Sequence, residues 1–216
     1  MDHASAKTEG RIGKDASIRP CWSCHGPLGA ADALCPSCHA VQPLGQADHY
    51  ERLGLARGFG VELKVLEAAY FKAQRSLHPD RFATKTSKEK ALSQQQATSL
   101  NDAYETLKDP LKRAVYLAGL SGINVLKEGC NALTDPVILM EAMEMREALA
   151  EAETPDDVIV ITKRAHDEIG DCEAELATAF ENRDMDAVGT LITRLKYLRK
   201  LADETRYRRA ELQSGS

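Results

Sequence analysis

The sequence has 216 residues, of which 43% are hydrophobic, 28% charged and only 5% aromatic. A chain of this length forms one or two small domains, and its formal net charge of −5 at pH 7 gives no reason to expect nucleic acid as a partner. No apolar run approaches the ~18–20 residues of a membrane span. Helix-favouring residues are abundant and no alternating β-branched run occurs, so the sequence predicts an all-α fold.

Residues 1–20 are predicted to be a disordered tail, because they are short of apolar residues and contain glycines and Pro20. They have no apolar core, which argues against a secretory signal. Acidic residues such as Asp2 and Glu9 also make the stretch a poor mitochondrial transit peptide.

Residues 21–43 hold four of the six cysteines as two CxxC pairs separated by ten residues, a spacing typical of one tetrahedral metal site. The segment has too few large apolar residues to fold unaided, so bound metal would supply the missing stability. We predict a small zinc-ribbon-like module with structural zinc as the cofactor. Its predicted ligands are Cys21, Cys24, Cys35 and Cys38. Of the two isolated cysteines, Cys172 is predicted to be a small buried hydrophobe and Cys130 an ordinary loop residue.

A competing interpretation is a c-type dihaem electron carrier, because His25 and His39 turn both pairs into CxxCH attachment motifs. Two haems need distal ligands and extensive apolar cover, and nearby the sequence offers only His3 and His49 with a few small residues. A single zinc site is therefore favoured, with His25 and His39 as bystanders. An iron–sulfur or redox role is the remaining alternative.

Residues 48–120 carry four predicted helices. Asp48 is placed to cap a brief helix, and the next one, VELKVLEAAYFKAQRSL, has apolar residues at three- and four-residue spacing. That helix ends before Pro79, because proline disfavours helix at the preceding residue. A third helix begins near Ser87, and a fourth starts at Pro110 and ends among glycines.

The remainder is predicted to be a linker, 121–134, followed by a C-terminal bundle, 135–213. Either of two residues, Thr134 or Asp135, can cap the first bundle helix, and Thr154-Pro155-Asp156 restarts the chain as the second. Residues 182–184 form a turn, and the third bundle helix follows it. Three helices joined by short turns indicate an antiparallel three-helix bundle.

The break between the second and third helices reads His78-Pro79-Asp80. Alone this tripeptide is a weak signal and equally describes a Pro-Asp turn. Proline fixes the turn, so the flanking side chains are presented at little ordering cost. The preceding helix adds an outward basic face, formed by Lys64, Lys72 and Arg75. Together with the carboxylate of Asp80, this face makes a docking surface that carries both positive and negative charge. A merely solvated basic face is the alternative.

This context closely resembles a J-domain over residues 48–120. The resemblance implies that a DnaK/HscA-type ATPase chaperone docks at His78, Pro79, Asp80 and the basic face. Asp80 would then trigger ATP hydrolysis by the chaperone. The chain itself is not expected to be an enzyme, since it shows neither a nucleophile–histidine set nor a phosphate-binding glycine loop.

The stretches HPDRF, LTDPVILMEAMEMREALAEAE and RLKYLRKL are similar to HscB-type co-chaperones of iron–sulfur cluster assembly. Some eukaryotic members also carry a paired-CxxC extension, which favours the mitochondrial matrix, with the cytoplasm as the alternative. The resemblance implies that the C-terminal bundle delivers an IscU-type scaffold protein to the chaperone. A general J-domain co-chaperone for unfolded clients is the second hypothesis.

The first bundle helix has two apolar stripes at 100° per residue. Ile138, Ala142, Met145 and Leu149 form one, and Leu139, Met140 and Met143 belong to the other. Periodicity leaves open whether the second stripe docks a partner or is covered by the J-domain. The resemblance implies scaffold binding by Leu139, Met140, Met143, Glu144, Arg146, Glu147 and Tyr197, although the family pattern can have Phe at the last position.

Overall fold

The structure, a computed structural model, describes residues 18–123 and 136–214. Most of the predicted tail, most of the predicted linker, the proposed cap of the first bundle helix and Cys130 lie outside these ranges. The helices within them are α1 (His49–Leu53), α2 (Leu63–Leu77), α3 (Ser87–Lys108), α4 (Pro110–Leu120), α5 (Pro136–Glu151), α6 (Pro155–Asn182) and α7 (Met185–Ser214). A 3₁₀ helix spans Pro79–Phe82, and two short strands, β1 (Arg19–Pro20) and β2 (Pro27–Leu28), pair antiparallel.

The helices begin at residues whose side chains satisfy free backbone N–H groups. Asp48 and Thr154 each form a reciprocal capping box at the starts of α1 and α6. At the start of α4, Asp109 accepts a hydrogen bond from the amide of Lys112 at 2.9 Å. These caps agree with the helix starts predicted from the sequence.

Helices α2 and α3 form an antiparallel pair joined through the 3₁₀ helix. Tyr70 and Tyr104 stack between them with ring centroids 4.2 Å apart, and the Tyr70 hydroxyl donates to the side chain of Asn101 at 2.9 Å. Leu66 and Leu100 are buried in the same layer. The pair therefore holds the turn between its helices at one end of this unit.

Helices α5–α7 form the C-terminal bundle, which packs on the first unit through α4 and α7. One hydrophobic cluster runs through both units, and Phe59 stacks on Phe180 across the junction at 5.6 Å between ring centroids. Asp109 also forms two 2.7 Å contacts with the guanidinium of Arg199. The predicted fold class, helical throughout apart from a small leading module, is confirmed.

The leading module is built on β1, β2 and a small buried cluster of Cys21, Leu28 and Cys35. Strand β1 lies within the stretch that we predicted to be a disordered tail, so order begins before the first cysteine. Arg19 secures this strand by donating to the carbonyl oxygens of Pro43 and Asp32 at 3.1 and 3.0 Å. None of the described helices is both long and apolar enough to cross a membrane.

Candidate functional site

The four predicted metal ligands converge on one point. Their Sγ atoms all lie within 4.8 Å of one another, with Cys21 Sγ 3.7 Å from Cys38 Sγ and Cys24 Sγ 3.6 Å from Cys35 Sγ. A tetrahedral ion with bonds of about 2.3 Å to sulfur places its ligands about 3.8 Å apart. The thiols therefore fit a single four-coordinate ion, and the convergence does not fit two separate haem attachment sites.

Each CxxC pair sits in the same kind of turn. In the first turn, the amide of His25 donates to the carbonyl of Cys21 at 3.0 Å; in the second, the amide of His39 donates to the carbonyl of Cys35 at 2.9 Å. Both histidines have a φ of 59°, in the left-handed region. Their side chains are exposed and outside the ligand cluster. The histidines thus reverse the chain after each pair and are not ligands.

The thiols differ in their tendency to ionise. Burial opposes ionisation of Cys21, but backbone N–H groups of Cys24 and Ser23 outweigh it, and its pKa falls to about 6. The amide of Gly26 lowers the pKa of Cys24, yet the neighbouring thiols raise it to about 12. A cation among the four sulfurs would favour the thiolate form of all of them.

The His78-Pro79-Asp80 turn is exposed at the end of the α2–α3 pair. The side chains of His78 and Asp80 are 50% and 90% exposed. The amide of Asp80 donates to Nδ1 of His78 at 3.3 Å, and Pro79 begins the 3₁₀ helix. The turn is therefore locally ordered while its carboxylate points into solvent.

The basic residues predicted on α2 share one exposed face. Lys64, Lys72 and Arg75 fall within about 80° of arc at 100° per residue, and all three are exposed. In the part of the chain that the structure describes, none of them forms a side-chain ion pair. Phe71, 54% exposed, lies about 20° beyond Lys64 at the edge of this arc, and the sequence did not single it out. Its position opposite the buried Leu66 is the signal that could have identified it.

The second apolar stripe of α5 is open to solvent. Leu139, Met140 and Met143 are 39%, 62% and 60% exposed, whereas Ile138 and Met145 on the other stripe are 6% and 2% exposed. The alternative that the J-domain covers the second stripe is therefore wrong. Two predicted acidic residues at its edge, Glu144 and Glu147, are exposed as well.

The remaining two residues of the predicted scaffold surface lie at the seam of α5 and α7. Arg146 and the half-buried Tyr197 line a narrow groove there together with Ala142. Arg146 also approaches Glu204 of α7, with 3.5 Å between Nε and Oε2. The fold thus places both beside the exposed stripe, with Arg146 partly engaged within the bundle.

Cys172 is fully buried on α6, as predicted. Its thiol donates to the carbonyl of Leu191 at 3.4 Å, and burial raises its pKa to about 11. A protonated, enclosed thiol of this kind has a packing role.

Comparison with protein families gives two matches along the chain. The family described as the DnaJ domain matches residues 48–116, and the one described as the HSCB C-terminal oligomerisation domain matches residues 134–206. The first covers α1 to most of α4, and the second covers the described helices α5 and α6 and most of α7.

Similar proteins span most of the chain. An iron-sulfur cluster co-chaperone protein HscB homolog of Arabidopsis thaliana is 31% identical over 94% of this chain and 81% of its own length. The iron-sulfur cluster co-chaperone protein HscB of Homo sapiens is 33% identical over 89% of this chain and 83% of its own length. The crystal structure of human co-chaperone protein HscB superposes with a TM-score of 0.80 at 31% identity, covering 87% of this chain and 97% of the human one.

Proposed function

The chain belongs to the HscB family of iron–sulfur cluster co-chaperones, and from this premise we propose that it joins two partners. One is a DnaK/HscA-type chaperone, whose ATPase it stimulates through the J-domain. The other is an IscU-type scaffold protein, which its C-terminal bundle holds. The observation that carries the proposal is that the HPD turn and the α5 stripe are both exposed, on different units joined through α4 and α7.

The chaperone surface consists of His78, Pro79, Asp80 and the basic face of α2. A solvent-directed carboxylate together with the exposed cations of α2 suits a partner of alternating charge, for which complementarity sets register and association rate. Phe71 adds an exposed apolar side chain at the edge of that face. The chain contributes docking, and the chaperone performs the hydrolysis.

The scaffold surface consists of the exposed α5 stripe, its acidic edge and the α5–α7 seam. Exposed methionines suit a docking surface because their flexible side chains adapt to the partner. The members are Leu139, Met140, Met143, Glu144, Arg146, Glu147 and Tyr197.

The metal we propose for the four cysteines is zinc, in a structural role. Four thiolates in a closed tetrahedral set are typical of structural zinc sites, and the sulfur spacing supports this choice. The compartment we propose is the mitochondrial matrix, with the cytoplasm as the alternative, because the paired-CxxC extension resembles that of eukaryotic family members.

The decisive experiment measures the ATPase rate of the chaperone with scaffold protein, with and without this chain. We expect stimulation by the native chain and loss of most of it with Asp80→Asn, because removing one member of a docked charge pair costs about 2–5 kcal/mol. The matched control is Asp167→Asn on α6, whose side chain is 67% exposed; it should stimulate normally. Failure of the native chain, or full stimulation by Asp80→Asn, would refute the proposal.

A further inference from the structure

The tetracysteine module packs directly behind the HPD turn. A separate hydrophobic cluster joins Val41 of the module to Leu77, Phe82 and Leu92 of the J-domain, with Trp22, Ala33 and Leu34 against it. Leu77 is the last residue of α2 and Phe82 ends the 3₁₀ helix. The two anchors that flank His78, Pro79 and Asp80 are therefore both covered by the module.

Polar contacts stabilise the same seam, meaning the contact between the tetracysteine module and the J-domain. The indole N–H of Trp22 donates to the carbonyl of Val41 at 2.6 Å, and the ammonium of Lys88 lies 3.9 Å from the centre of the indole ring. From α3, the amide side chain of Gln96 donates to the carbonyl of Gln42 at 2.8 Å. The contacts of Lys88 and Gln96 fix the module against the first half of α3, the helix that follows the turn.

One residue connects this seam to the metal ligands. Gln42, only 1% exposed, donates from Nε2 to Cys21 Sγ at 3.2 Å and to the carbonyl of Ala40 at 2.7 Å. Its own carbonyl receives the bond from Gln96. Trp22 follows Cys21 directly in the chain. The ligand turn, the seam and α3 are thus linked by consecutive direct contacts.

We propose that the tetracysteine module is a brace for the HPD turn. Trp22, Val41 and Gln42 are positioning residues, and metal binding keeps them where they cover Leu77 and Phe82. The consequence for the chaperone rests on the function proposed above, whereas the ordering of the turn does not.

Metal loss is expected to unfold the module and so to remove its packing against the HPD turn. The module's own buried cluster is three residues, two of them ligand cysteines, which is too little apolar burial to hold a fold without the ion. Without the module, Leu77 and Phe82, now 5% and 6% exposed, lose their cover. The turn would then sample more conformations, and docking would have to order it first.

Hydrogen exchange of the full chain tests the ordering directly. Three amides report on the turn: Arg81, Ala83 and Lys85 donate to the carbonyls of His78, Asp80 and Phe82 respectively. Removing zinc with a chelator should speed exchange of these amides by roughly tenfold, a local-opening effect. Amides in the middle of α6 should exchange at the same rate with and without zinc.

Two variants break the seam while keeping all four cysteines. Trp22→Ala removes the indole from the module side, and Gln96→Ala removes the bond from the α3 side. Each should retain one zinc per chain and speed exchange of the three amides. Each should also raise the concentration of co-chaperone needed for half-maximal ATPase stimulation roughly three- to tenfold, because docking must then order one or two additional side chains. Scaffold affinity should stay unchanged. Trp22→Phe keeps an aromatic ring at that position, so its exchange rates and its ATPase stimulation should be close to those of the native chain.

The control variant is Tyr207→Ala, whose side chain lies 74% exposed on α7; it should change none of these quantities. Unchanged exchange at the turn after zinc removal and in both seam variants would overturn the brace. If the native chain fails to stimulate the chaperone, the proposed function falls, and the exchange measurement still decides whether the brace exists.

Discussion

At the scale of single residues, the spacing of the cysteines predicts the ligands of the metal site but not the role of the two histidines beside them. Two CxxC pairs are sufficient to predict one cluster of four cysteines, because each tight turn presents both of its sulfurs to the same side. The same sequence made His25 and His39 look like haem-attachment residues. Their role depends on a backbone angle, a φ of 59° at both positions, which residue identity alone does not reveal.

We therefore predict that glycine is accepted at these two positions. His25→Gly with His39→Gly removes a left-handed strain of about 1–2 kcal/mol per residue, offset by about 0.5–1 kcal/mol of glycine entropy, so the module gains stability slightly. Zinc content should stay at one per chain, measured by atomic absorption, and the protein should show no Soret band. Chelator resistance should rise a little.

Two controls separate conformation from ligation. His39→Ala keeps the strain, so it should leave chelator resistance unchanged, whereas Cys24→Ser removes a ligand and should lower it strongly. Loss of zinc from the double glycine variant would mean that a histidine is a ligand and would contradict the geometry described above.

At the scale of helices, periodicity and capping residues predicted much of the fold. Asp48, Asp109 and Thr154 mark helix starts because their side chains satisfy backbone N–H groups. Periodicity also found both stripes of α5, but it reports only that a face is apolar. Which apolar face is covered depends on contacts distant in sequence, and the structure leaves the face of Met143 open.

Neighbouring methionines on α5 provide a matched test of that face. Met143→Ala, at 60% exposure, should change the free energy of unfolding by at most about 0.5 kcal/mol. It should weaken scaffold binding roughly tenfold, as expected for a contact of above 1 kcal/mol. Met145→Ala, at 2% exposure, should instead lower stability by about 2–5 kcal/mol. Calorimetric titration with the scaffold and chemical denaturation measure the two effects.

A combined variant, Leu139→Ala with Met143→Ala and Tyr197→Ala, addresses the alternative of a general co-chaperone. It should lose scaffold affinity while keeping basal chaperone stimulation through Asp80. Unchanged scaffold affinity, together with binding of many unrelated unfolded peptides, would favour the general co-chaperone.

At the scale of the whole molecule, the two helical units are joined by a junction that the sequence did not predict. Asp109 of the first unit and Arg199 of the second pair across 90 positions of the chain. Such contacts have no local pattern, since each partner reads as an ordinary surface charge or helix cap. The relative positions of the two proposed docking surfaces depend on such contacts.

The junction should give the protein a distinct acid sensitivity. The hydrogen bond from Arg199 lowers the pKa of Asp109 to about 2, from about 4 in an unfolded chain. Because the pKa is lower in the folded state, the stabilisation is complete above pH 4 and is lost as the pH falls towards 2. After allowance for solvent screening of a partly exposed pair, it amounts to about 1 kcal/mol. Arg199→Met should therefore unfold at a lower temperature at pH 6, and its deficit should shrink as the pH approaches 2.

Asp109→Asn sharpens this test, because asparagine caps a helix as well as aspartate. The variant retains the cap of α4 and loses only the charge, so it should show the same deficit as Arg199→Met with the same pH dependence. The double variant should be no less stable than either single one, since both remove the same interaction. Arg206→Met, whose side chain is 74% exposed on α7, is the control and should leave the pH profile unchanged. Additive losses in the double variant would show that the pair does not couple the two units.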